Sequence, residues 1–567
     1  MDVTLRKHCQ KRKAALLAER SLYEPDWRQV AEYVDPYAGR HLLDSKGAPR
    51  KLPSRAKIIN SAAGKALRTM DAGFMGGHTS KSRAWFRLGV SDPKLQDMEE
   101  VKVWLDDETQ AIRDTLARSN FYTALPTLYH SRHLFGVGAM AVEDDDEDVV
   151  RFYARSIGTY AIGLDRRGRC DTFWYCFSWT AHQIKQKFEP IVGMDGLPQR
   201  VRDALNGGRM DERFTIDCLI EPNPDAKPGV RGPLERPVRQ VYWIEGGESD
   251  PHGCLDQQGH YEMRVLSPRW GAEGNDTYGP SPSTDALGDI KQLQYLEGEK
   301  LRLIDLTSQP PLALPDSLRM KGASANPGSK TYVTPDQTAQ KIEAIYTPDP
   351  RGLLQVQAEI DKVKERIEQA YFADLFRMLD FLDDKQRTAY EISERKEEKV
   401  AMLGPALETL TDELLDPVIE IVFAIRMARG LVKPVPEALD RVPIKVEYTS
   451  ILAQAQKAAG TGTIERVIGF VANVAAAQQS PEAFDNINLD AAIEAVHDAQ
   501  GAPARMLRTD DEVAAIRKGR AQQAQMAQMA AMAPALKQGA DAMKSAGQAV
   551  PEEGSALGAF ADMALPA

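Results

Sequence analysis

Residues 278–290 read YGPSPSTDALGDI, and they lead from a stretch rich in proline and glycine into a helical pattern that runs to Ser308. Gln309-Pro310-Pro311 follows directly. Because the residue before a proline avoids the helical region and proline removes a backbone donor, the pattern ends there abruptly. The stretch predicts one helix over 285–309, with a rigid start at Tyr278 and Gly279 and a hard exit at the two prolines.

The first turn of this helix carries residues that suit a helix N-terminus. Ser283 or Thr284 can cap it, because a hydroxyl oxygen accepts a hydrogen bond from the free backbone N–H groups of the first turn. Asp285 and Asp289 place negative charge near the positive end of the helix dipole. We therefore expect the cap at Ser283 or Thr284.

A second helix with an apolar seam follows after a small insert. Residues 310–350 contain short strand-like pieces among prolines and glycines, which predicts a small α/β unit between two helices. Beyond it, apolar residues recur with the 3-4-3-4 spacing of one buried helix face. The seam consists of Leu353, Val356, Ile360, Val363 and Ile367.

The first 284 residues combine helices and strands. The helical patterns cover 5–33, 61–75, 95–118 and 121–135, the last of them closed by Gly136. The stretches rich in aromatic and β-branched residues cover 149–156, 159–164, 171–179, 238–245 and 261–266. The tetrapeptide DRRG at 165–168 predicts a hairpin turn. The fold class that follows is α+β and predominantly helical.

The chain beyond the seam is mostly helical. A long pattern runs from about 388 to 429 with Pro405 and Pro417 inside it, and these prolines predict kinks or breaks. Residues 443–450 are a strand candidate, and helical patterns resume from 452 to about 529. The last forty residues, rich in alanine, glutamine and methionine, look like a fraying helix followed by a flexible tail.

Composition bounds the class of protein. A chain of 567 residues suggests three or four domains, and 43% hydrophobic with 27% charged residues is typical of a globular protein. The net charge of −11 excludes a basic footprint over the whole molecule of the kind that nucleic-acid binders carry. Local basic clusters remain, and they predict either nucleic-acid contact or a solvated helix face. They lie at 6–13, 50–57 and 81–87.

Cysteine usage and hydropathy limit the compartment. The five cysteines are odd in number and fit no disulfide framework or zinc motif, which favours reduced thiols in a cytosolic compartment. No apolar run of eighteen residues predicts a transmembrane helix, and the first twenty residues lack the apolar core of a signal peptide.

The motifs that would indicate an enzyme are incomplete. The stretch GASANPGSKT at 322–331 has five residues between its glycines, and Ser329 separates Gly328 from Lys330, so it fails the phosphate-loop pattern. No Gly-x-Ser-x-Gly elbow or nucleophile–base pair is present. The sequence gives no positive reason to expect catalysis or a bound cofactor.

Two polar clusters remain as candidate metal ligands. The acidic run EDDDED at 143–148 lacks the glycine-punctuated spacing of a calcium loop and is better explained as a solvated turn between strands. His130 and His133 lie three residues apart on a predicted helix without a third ligand in the sequence nearby, so structural or exposed histidines are expected. No metal site is predicted.

Six segments in order resemble one family, the portal or head-to-tail connector proteins of short-tailed bacteriophages. They combine a tryptophan-containing first helix, a Trp-Phe-x-Leu element, an Arg-Trp then Tyr-Gly then Ala-Leu-x-Asp-Ile motif, a Pro-Pro exit, a Thr-Ala-x-Glu helix and a Ser-x-Leu-Ala-x-Ala-Gln motif. The resemblance covers residues 1–520. The segments are YEPDWRQVAEYVDPYAGR (23–40), SRAWFRL (82–88), RWGAEGNDTYGPSPSTDALGDIKQL (269–293), QPPLALP (309–315), TAYEISERKEEKVAMLGPALETLTDELLDPVI (388–419) and YTSILAQAQK (448–457).

The resemblance implies a portal-type protomer with an α/β wing, a two-helix stem, a small α/β clip, a long kinked helix and a helical crown. Residues 531–567 are left open as either an extension of a central barrel or a flexible tail. The implied parts are the wing (1–284), first stem helix (285–309), clip (310–350), second stem helix (351–379), tunnel loop (380–390), kinked wing helix and return strand (391–451) and crown (452–530).

By this resemblance, the segment DFLDDKQRTAY at 380–390 is expected to occupy the position of the family's tunnel loop, which faces DNA. Its tip carries both acidic and basic side chains. The alternative to a loop is an ordinary helix that continues through this segment with a solvated charged face. We expect neutralisation of Lys385 and Arg387 to reduce genome retention more than ring assembly. The candidate channel residues are Asp383, Asp384, Lys385, Gln386 and Arg387.

The implied function is that of a ring at one capsid vertex. The family's ring has about twelve subunits and closes through head-to-tail contacts between identical chains. It conducts double-stranded DNA during packaging and ejection, and it docks terminase and tail adaptor proteins, with major capsid and scaffolding proteins as further partners. The implied location is the virion, and the host cytoplasm during assembly, without membrane association. Two alternatives stay open, a DNA-packaging ATPase or nuclease and another virion structural protein.

Overall fold

The structure is a computed structural model. It describes the ranges 3–43, 54–96, 98–227, 232–246, 254–310, 349–380, 401–439 and 442–450, together with residues 229, 312–313, 343–344 and short pieces between 470 and 523. The chain divides into two compact units, Met1–Gly460 and Thr461–Ala567. In the second unit the described residues are few and are mostly helical, chiefly 515–520.

Helices account for most of the first unit. A long helix in its C-terminal part consists of α14 (401–410), one π-helical turn at Thr411–Leu415 and then α15. Short 3-10 turns lie at Pro233–Glu235 and Glu437–Leu439. The other helices are α1 (Val3–Arg20), α2 (Glu24–Tyr33), α3 (Arg40–Leu43), α4 (Ala62–Gly77), α5 (Pro93–Gln96), α6 (Glu99–Arg118), α7 (Phe121–Phe135), α8 (Ala181–Gly196), α9 (Gln199–Asn206), α10 (Pro282–Asp285), α11 (Leu287–Ser308), α12 (Pro350–Ala370), α13 (Ala373–Asp380) and α15 (Asp416–Ala428).

The described strands form four antiparallel sheets. The largest has five strands in the order β4-β5-β6-β7-β8, a second has the order β3-β2-β9, and the two others are the pairs β1-β12 and β10-β11. The strands are β1 (Phe86–Val90), β2 (Ala139–Asp145), β3 (Val149–Arg155), β4 (Tyr160–Leu164), β5 (Cys170–Thr180), β6 (Arg213–Pro222), β7 (Val238–Ile244), β8 (Cys254–His260), β9 (Val265–Leu266), β10 (Leu312–Ala313), β11 (Glu343–Ala344) and β12 (Ile444–Tyr448).

The five-stranded sheet is buried on both faces because its strands alternate. Phe214 and Ile216 of β6 point into the main core, whereas Leu219 packs on the opposite face under α1. Lys13 of α1 lies 2.8 Å from the carboxylate of Asp217, so one ion pair ties that helix to the sheet. The mixed α+β character expected from the sequence is confirmed.

Several local predictions were wrong or incomplete. The predicted helix over 5–33 is two helices, α1 and α2, separated by a turn at 21–23. The predicted strand over 261–266 is displaced, because β8 ends at His260 and only Val265–Leu266 is extended beyond it. The sequence analysis also missed β1, β2, β6, α8 and α9. Gly136 does close α7 in a left-handed conformation, as predicted.

Helices α11 and α12 form an antiparallel pair. Arg366 of α12 lies 2.8 Å from Asp289 near the start of α11, whereas Lys364 lies 3.7 Å from Glu297 further along it. Between the two helices, β10 and β11 pair with each other. The rest of the segment from 311 to 348 lies outside the described residues.

The predicted helix over 351–379 is interrupted. It divides into α12 and α13 at Tyr371 and Phe372, and Phe372 has a positive φ of 51°. Neither glycine nor proline marks this break, so tertiary packing rather than local propensity sets it. The Phe376 ring of α13 packs so closely on Gly73 of α4 that an added Cβ at Gly73 would lie 2.1 Å from it.

Candidate functional site

The chain enters the helix pair through a tight passage at Gly279. A Cβ added at Gly279 would lie 1.8 Å from the carbonyl oxygen of Gly271, and one added at Gly136 would lie 2.4 Å from the carbonyl oxygen of Gly279. Three backbone segments therefore meet here with no room for a side chain. The sequence marked Gly279 as a site residue, and the structure shows why a glycine stands there.

Tyr278, the residue before this passage, is buried among aromatic rings. Its ring centroid lies 5.2 Å from that of Tyr23 and 5.1 Å from that of Trp27, both from the start of α2. The Ile162 backbone N–H of β4 donates to its hydroxyl oxygen at 3.0 Å. Burial raises the pKa of Tyr278, so the phenol stays neutral. Two of the segments that carry the family resemblance thus meet in one contact.

The side-chain cap lies on α10, the short helix directly before α11, whereas Ala286 at the start of α11 provides no side-chain cap. Ser281 accepts a hydrogen bond from the Thr284 N–H at 3.0 Å, and Thr284 Oγ1 accepts from the Ser281 N–H at 2.7 Å, which is a reciprocal capping box. The prediction of a cap at Ser283 or Thr284 was therefore wrong. Ser283 instead donates to the carbonyl oxygen of His133 at 3.1 Å. Pro282 occupies the first helical position, where its missing N–H costs nothing.

The return from α12 is anchored at the same place. The Tyr371 hydroxyl donates to Ser283 Oγ at 2.8 Å, and both side chains are fully buried. Ser281 Oγ donates to the Leu134 carbonyl oxygen at 3.0 Å. The beginning and the end of the helix pair are therefore both fastened to the C-terminal turn of α7.

The half of the helix pair next to these anchors, which we call the base, is well packed. The Gln294 side chain accepts from the backbone N–H groups of Ile59 and Asn60 at 2.7 and 2.8 Å. The apolar seam predicted from the sequence lies inward here. Its fully buried members, together with their partners on α11, are Ile290, Leu293, Ile360, Val363 and Ile367.

The distal half of the pair, away from the anchors, is exposed and carries apolar side chains. Leu354 of α12 is 71% exposed, and Leu301 and Ile304 of α11 are 51% and 40% exposed. Among the described residues, Ile360 is the first of α12 to be fully buried. Exposed apolar groups on two adjacent helices make this half suited to contact with other protein surfaces.

Asp71 links α4 to α7 through two histidines. Its two oxygens lie 2.7 Å from His130 Nδ1 and 2.6 Å from His133 Nδ1, and His130 Nε2 lies 3.3 Å from Asp35. Burial alone would lower the pKa of His130, but the two carboxylates outweigh it and raise that pKa to about 9. The histidines therefore have structural roles, in agreement with the sequence.

Burial also acts on the other members of this cluster. It lowers the pKa of His133, with Asp71 opposing the shift. For Asp71 burial favours a raised pKa, but the hydrogen bonds from His130 and His133 outweigh it and lower the value. The cluster thus pairs one cationic histidine and one neutral histidine with an ionised carboxylate. No sequence pattern pointed to Asp71, because its two histidine partners lie 59 and 62 residues away.

The other site residues of the sequence analysis fall in different places. Pro310 follows the end of α11, and Gln309 before it has left the helical conformation, with φ −134° and ψ 70°. Pro405 lies within α14, and Pro417 lies in the first turn of α15, directly after the π-turn. Pro311 and the candidate channel residues 383–387 lie outside the described residues.

The acidic run at 143–148 forms the end of β2 and the turn to β3. Asp145 accepts hydrogen bonds from the Glu147 and Asp148 N–H groups, both at 2.9 Å, which lowers its pKa. Its neighbours Asp144 and Asp146 lie near Arg264 and Arg429. Within the described ranges no group of three or more metal-ligating side chains occurs. The run is therefore explained by turn geometry and ion pairs.

Comparison with known proteins identifies the class. The profile of the family "Bacteriophage head to tail connecting protein" matches residues 6–507. The chain belongs to this family of phage portal proteins, which is a family of structural virion proteins and not of enzymes. Within the described part of the chain no helix is long and apolar enough to cross a membrane.

Two relatives match over nearly their full lengths. The chain is 35% identical over 567 residues to the "Portal protein" of Salmonella phage epsilon15, covering 100% of this chain and 99% of that protein. It is 35% identical over 556 residues to the "Probable portal protein" of Bordetella phage BPP-1, covering 98% of each. The resemblance to portal proteins stated from the sequence motifs is confirmed.

Proposed function

We propose that this chain forms a closed ring at one capsid vertex and that the ring conducts double-stranded DNA during packaging and ejection. The observation that carries the proposal is the full-length similarity to phage portal proteins. The helix pair supports it, because its base is packed within the chain while its distal half exposes Leu301, Ile304 and Leu354. In a ring of identical chains, each subunit offers two different faces to its two neighbours, and such surfaces become buried there.

The segment 310–350 is proposed as the clip that docks terminase and, after packaging, tail adaptor proteins. Its described part includes the pairing of β10 with β11, which lies between α11 and α12 in the chain, at the distal end of the helix pair. Major capsid and scaffolding proteins are the further partners we propose for the outer surface of the ring.

The acidic character of the chain suits a conduit. A net charge of −11 disfavours strong neutralisation of DNA phosphates, and weak neutralisation leaves the duplex free to move. We propose that residues 383–387, which carry two acidic and two basic side chains, meet the duplex. Replacing Lys385 and Arg387 by glutamine should lower genome retention while rings still form. The matched control replaces Asp383 and Asp384 by asparagine, which shifts the local charge in the opposite direction.

The first experiment is single-particle imaging of the purified protein combined with mass determination. Closed rings of about twelve 62.7-kDa chains, about 750 kDa in total, with a channel wide enough for duplex DNA would support the proposal. Monomers at every salt concentration, or rings without a channel, would contradict it. An assay of nucleotide hydrolysis on the same sample tests the packaging-enzyme alternative.

A further inference from the structure

The long helix beyond residue 401 contains one turn that is not α-helical. Between α14 and α15, the residues Thr411–Leu415 form a π-turn, in which the Asp416 N–H donates to the carbonyl oxygen of Thr411, five residues back. Such turns are rare and contain one residue more than an α-helical turn, and they persist where surrounding contacts hold them. The extra residue rotates everything before it by about 100° relative to everything after it.

The first contact that holds this turn is an ion pair with Arg269, which follows β9. The Arg269 backbone N–H donates to Glu413 Oε2 at 2.7 Å, and its Nε donates to Glu413 Oε1 at 2.9 Å. The Arg269 side chain also donates to the Gly168 carbonyl oxygen in the β4–β5 turn. Glu413 is the central residue of the π-turn, so the turn presents it to both the backbone and the side chain of Arg269.

The second contact is Arg132 of α7, which reaches the helix just before the π-turn. Its Nη2 donates to the carbonyl oxygen of Ala406 at 2.5 Å, and its Nε donates to the carbonyl oxygen of Arg269 at 3.0 Å. The guanidinium lies over the ring of Trp270, 5.0 Å from its centroid. One side chain thus bridges α14 and the backbone of the arginine that binds Glu413.

The burial of Arg132 is unfavourable for the stability of the fold. It is fully buried, forms no salt bridge with a described carboxylate, and its Nη1 lacks a hydrogen-bond partner in the described part of the chain. Burial lowers the pKa of its guanidinium to about 10, with Tyr129 and Glu413 opposing the shift. A buried charge without a carboxylate disfavours folding, so a role in fixing geometry explains it better.

We infer that Arg132 and Arg269 are positioning residues that hold the π-turn and thereby set the rotation of α14. Residues 381–400, which include the proposed channel residues, connect directly to α14. Under the proposed function, this rotation of α14 should affect how well the ring retains DNA. The inference rests on the proposed function for its consequence, but the clamp on the helix can be tested independently of it.

The direct test is hydrogen exchange of the backbone amides between 407 and 416 in the full-length protein. Glu413→Gln and Arg132→Met should each speed exchange in the π-turn at least tenfold, because each removes one side of the clamp. Arg132→Lys should fall between Arg132→Met and the unmodified protein, since one ammonium group cannot span the two carbonyl oxygens of Ala406 and Arg269. Unchanged exchange in all three variants would overturn the inference.

The matched control is Arg426→Met on α15. Arg426 is also a buried arginine, and its contacts lie away from the π-turn. It donates to Thr115 Oγ1 at 2.9 Å and, unlike Arg132, pairs with a carboxylate, that of Glu108 at 3.4 Å. It should lower thermal stability without faster exchange at 407–416. If Arg426→Met accelerates that exchange as much as Arg132→Met does, the effect is general loosening and the inference fails.

A second measurement asks whether the turn matters to DNA. Deleting the exposed residue Asp412 removes the extra residue of the π-turn and rotates α14 by about 100° relative to α15. Particles assembled with this variant should contain rings of normal size but retain fewer full-length genomes, severalfold below particles with the Arg426→Met control. Normal retention would overturn the functional part of the inference. If the unmodified chain forms no ring, the proposed function fails, while the exchange experiment still decides the clamp.

Discussion

The two halves of the helix pair differ in what holds them. At the base, Ser283, Gln294 and Tyr371 have hydrogen-bond partners within the chain, and the facing residues are fully buried. In the distal half, the apolar side chain of Leu354 is 71% exposed and that of Leu301 51% exposed. The same two helices are thus packed against the rest of the chain at one end and exposed at the other. The base is packed within one chain, whereas the distal half exposes apolar side chains that we propose neighbouring subunits cover.

The largest expected effect comes from Gly279→Ala at the base. The new Cβ would lie 1.8 Å from the Gly271 carbonyl oxygen, so the backbone must move. We expect a loss of at least about 3 kcal/mol in the free energy of unfolding, or no soluble protein. Denaturant unfolding and soluble yield measure it. Gly288→Ala is the control, since a Cβ there meets nothing within 4 Å and alanine favours a helix by about 1 kcal/mol. Equal stability of the two variants would show that the passage is not tight.

The next effect depends on pH. The pKa of His130 is raised from its ordinary 6.5 to about 9, so its pairing with Asp35 and Asp71 stabilises the fold fully below pH 6.5 and is lost as pH rises through 9. The shift corresponds to on the order of 3 kcal/mol. His130→Asn should be less stable than the parent protein at pH 6.5, and the difference should shrink towards pH 9. Denaturant midpoints at both pH values measure it, and a difference independent of pH would exclude the charge pairing.

A smaller effect is expected from Tyr371→Phe, which removes one buried hydrogen bond between the return of the pair and Ser283. The loss should be about 1 kcal/mol. Tyr295→Phe is the matched control, because Tyr295 lies on α11 and is 67% exposed. Thermal unfolding of both variants at one protein concentration measures this difference in stability. A loss for Tyr295→Phe as large as that for Tyr371→Phe would remove the contrast between buried and exposed positions.

The smallest effect on the stability of the isolated chain is expected from the double variant Leu354→Ser and Ile304→Ser. This variant also tests the difference between the two halves most directly. Both side chains are exposed, so the free energy of unfolding should change by less than about 0.5 kcal/mol. Ring formation should fall at least tenfold, since these groups are proposed to be buried between neighbours. Gln355→Ser, the adjacent exposed position, should leave rings intact. Normal rings from the double variant would mean that the distal half needs no neighbour. Mass measurement on all three proteins gives the answer.

Much of the helix pair could be predicted because its signals are local. Prolines and glycines set the start and the exit, and the 3-4-3-4 spacing marked the face on which Ile360, Val363 and Ile367 are buried. The acidic residues at 285 and 289 favoured a cap close to them. The capping box is instead formed by Ser281 and Thr284, with Pro282 at the first helical position. A serine followed by proline and, three residues on, by threonine is itself a local pattern typical of a helix start.

The rest of the site could not be predicted from one sequence because its contacts are distant along the chain. Asp71 meets His133 across 62 residues, Tyr371 meets Ser283 across 88, and Arg269 meets Glu413 across 144. No periodicity encodes such pairs. The break at Phe372 also lacks a local signal, since its positive φ is imposed by tertiary packing. Propensity is a weak guide wherever packing overrides it.

The fastening of both ends of the helix pair to one turn of α7 has a consequence for how such proteins can change. The Tyr371 hydroxyl donates directly to Ser283, so the two ends of the segment 284–370 lie next to each other. We call this segment the cassette. Closing a longer loop between fixed ends adds only about 0.6 kcal/mol for each doubling of its length. The cassette can therefore lengthen, shorten or be exchanged for another with little cost to the body that carries it. Under the docking role proposed for the insert, differences between partners can accumulate there while the body of the chain stays unchanged.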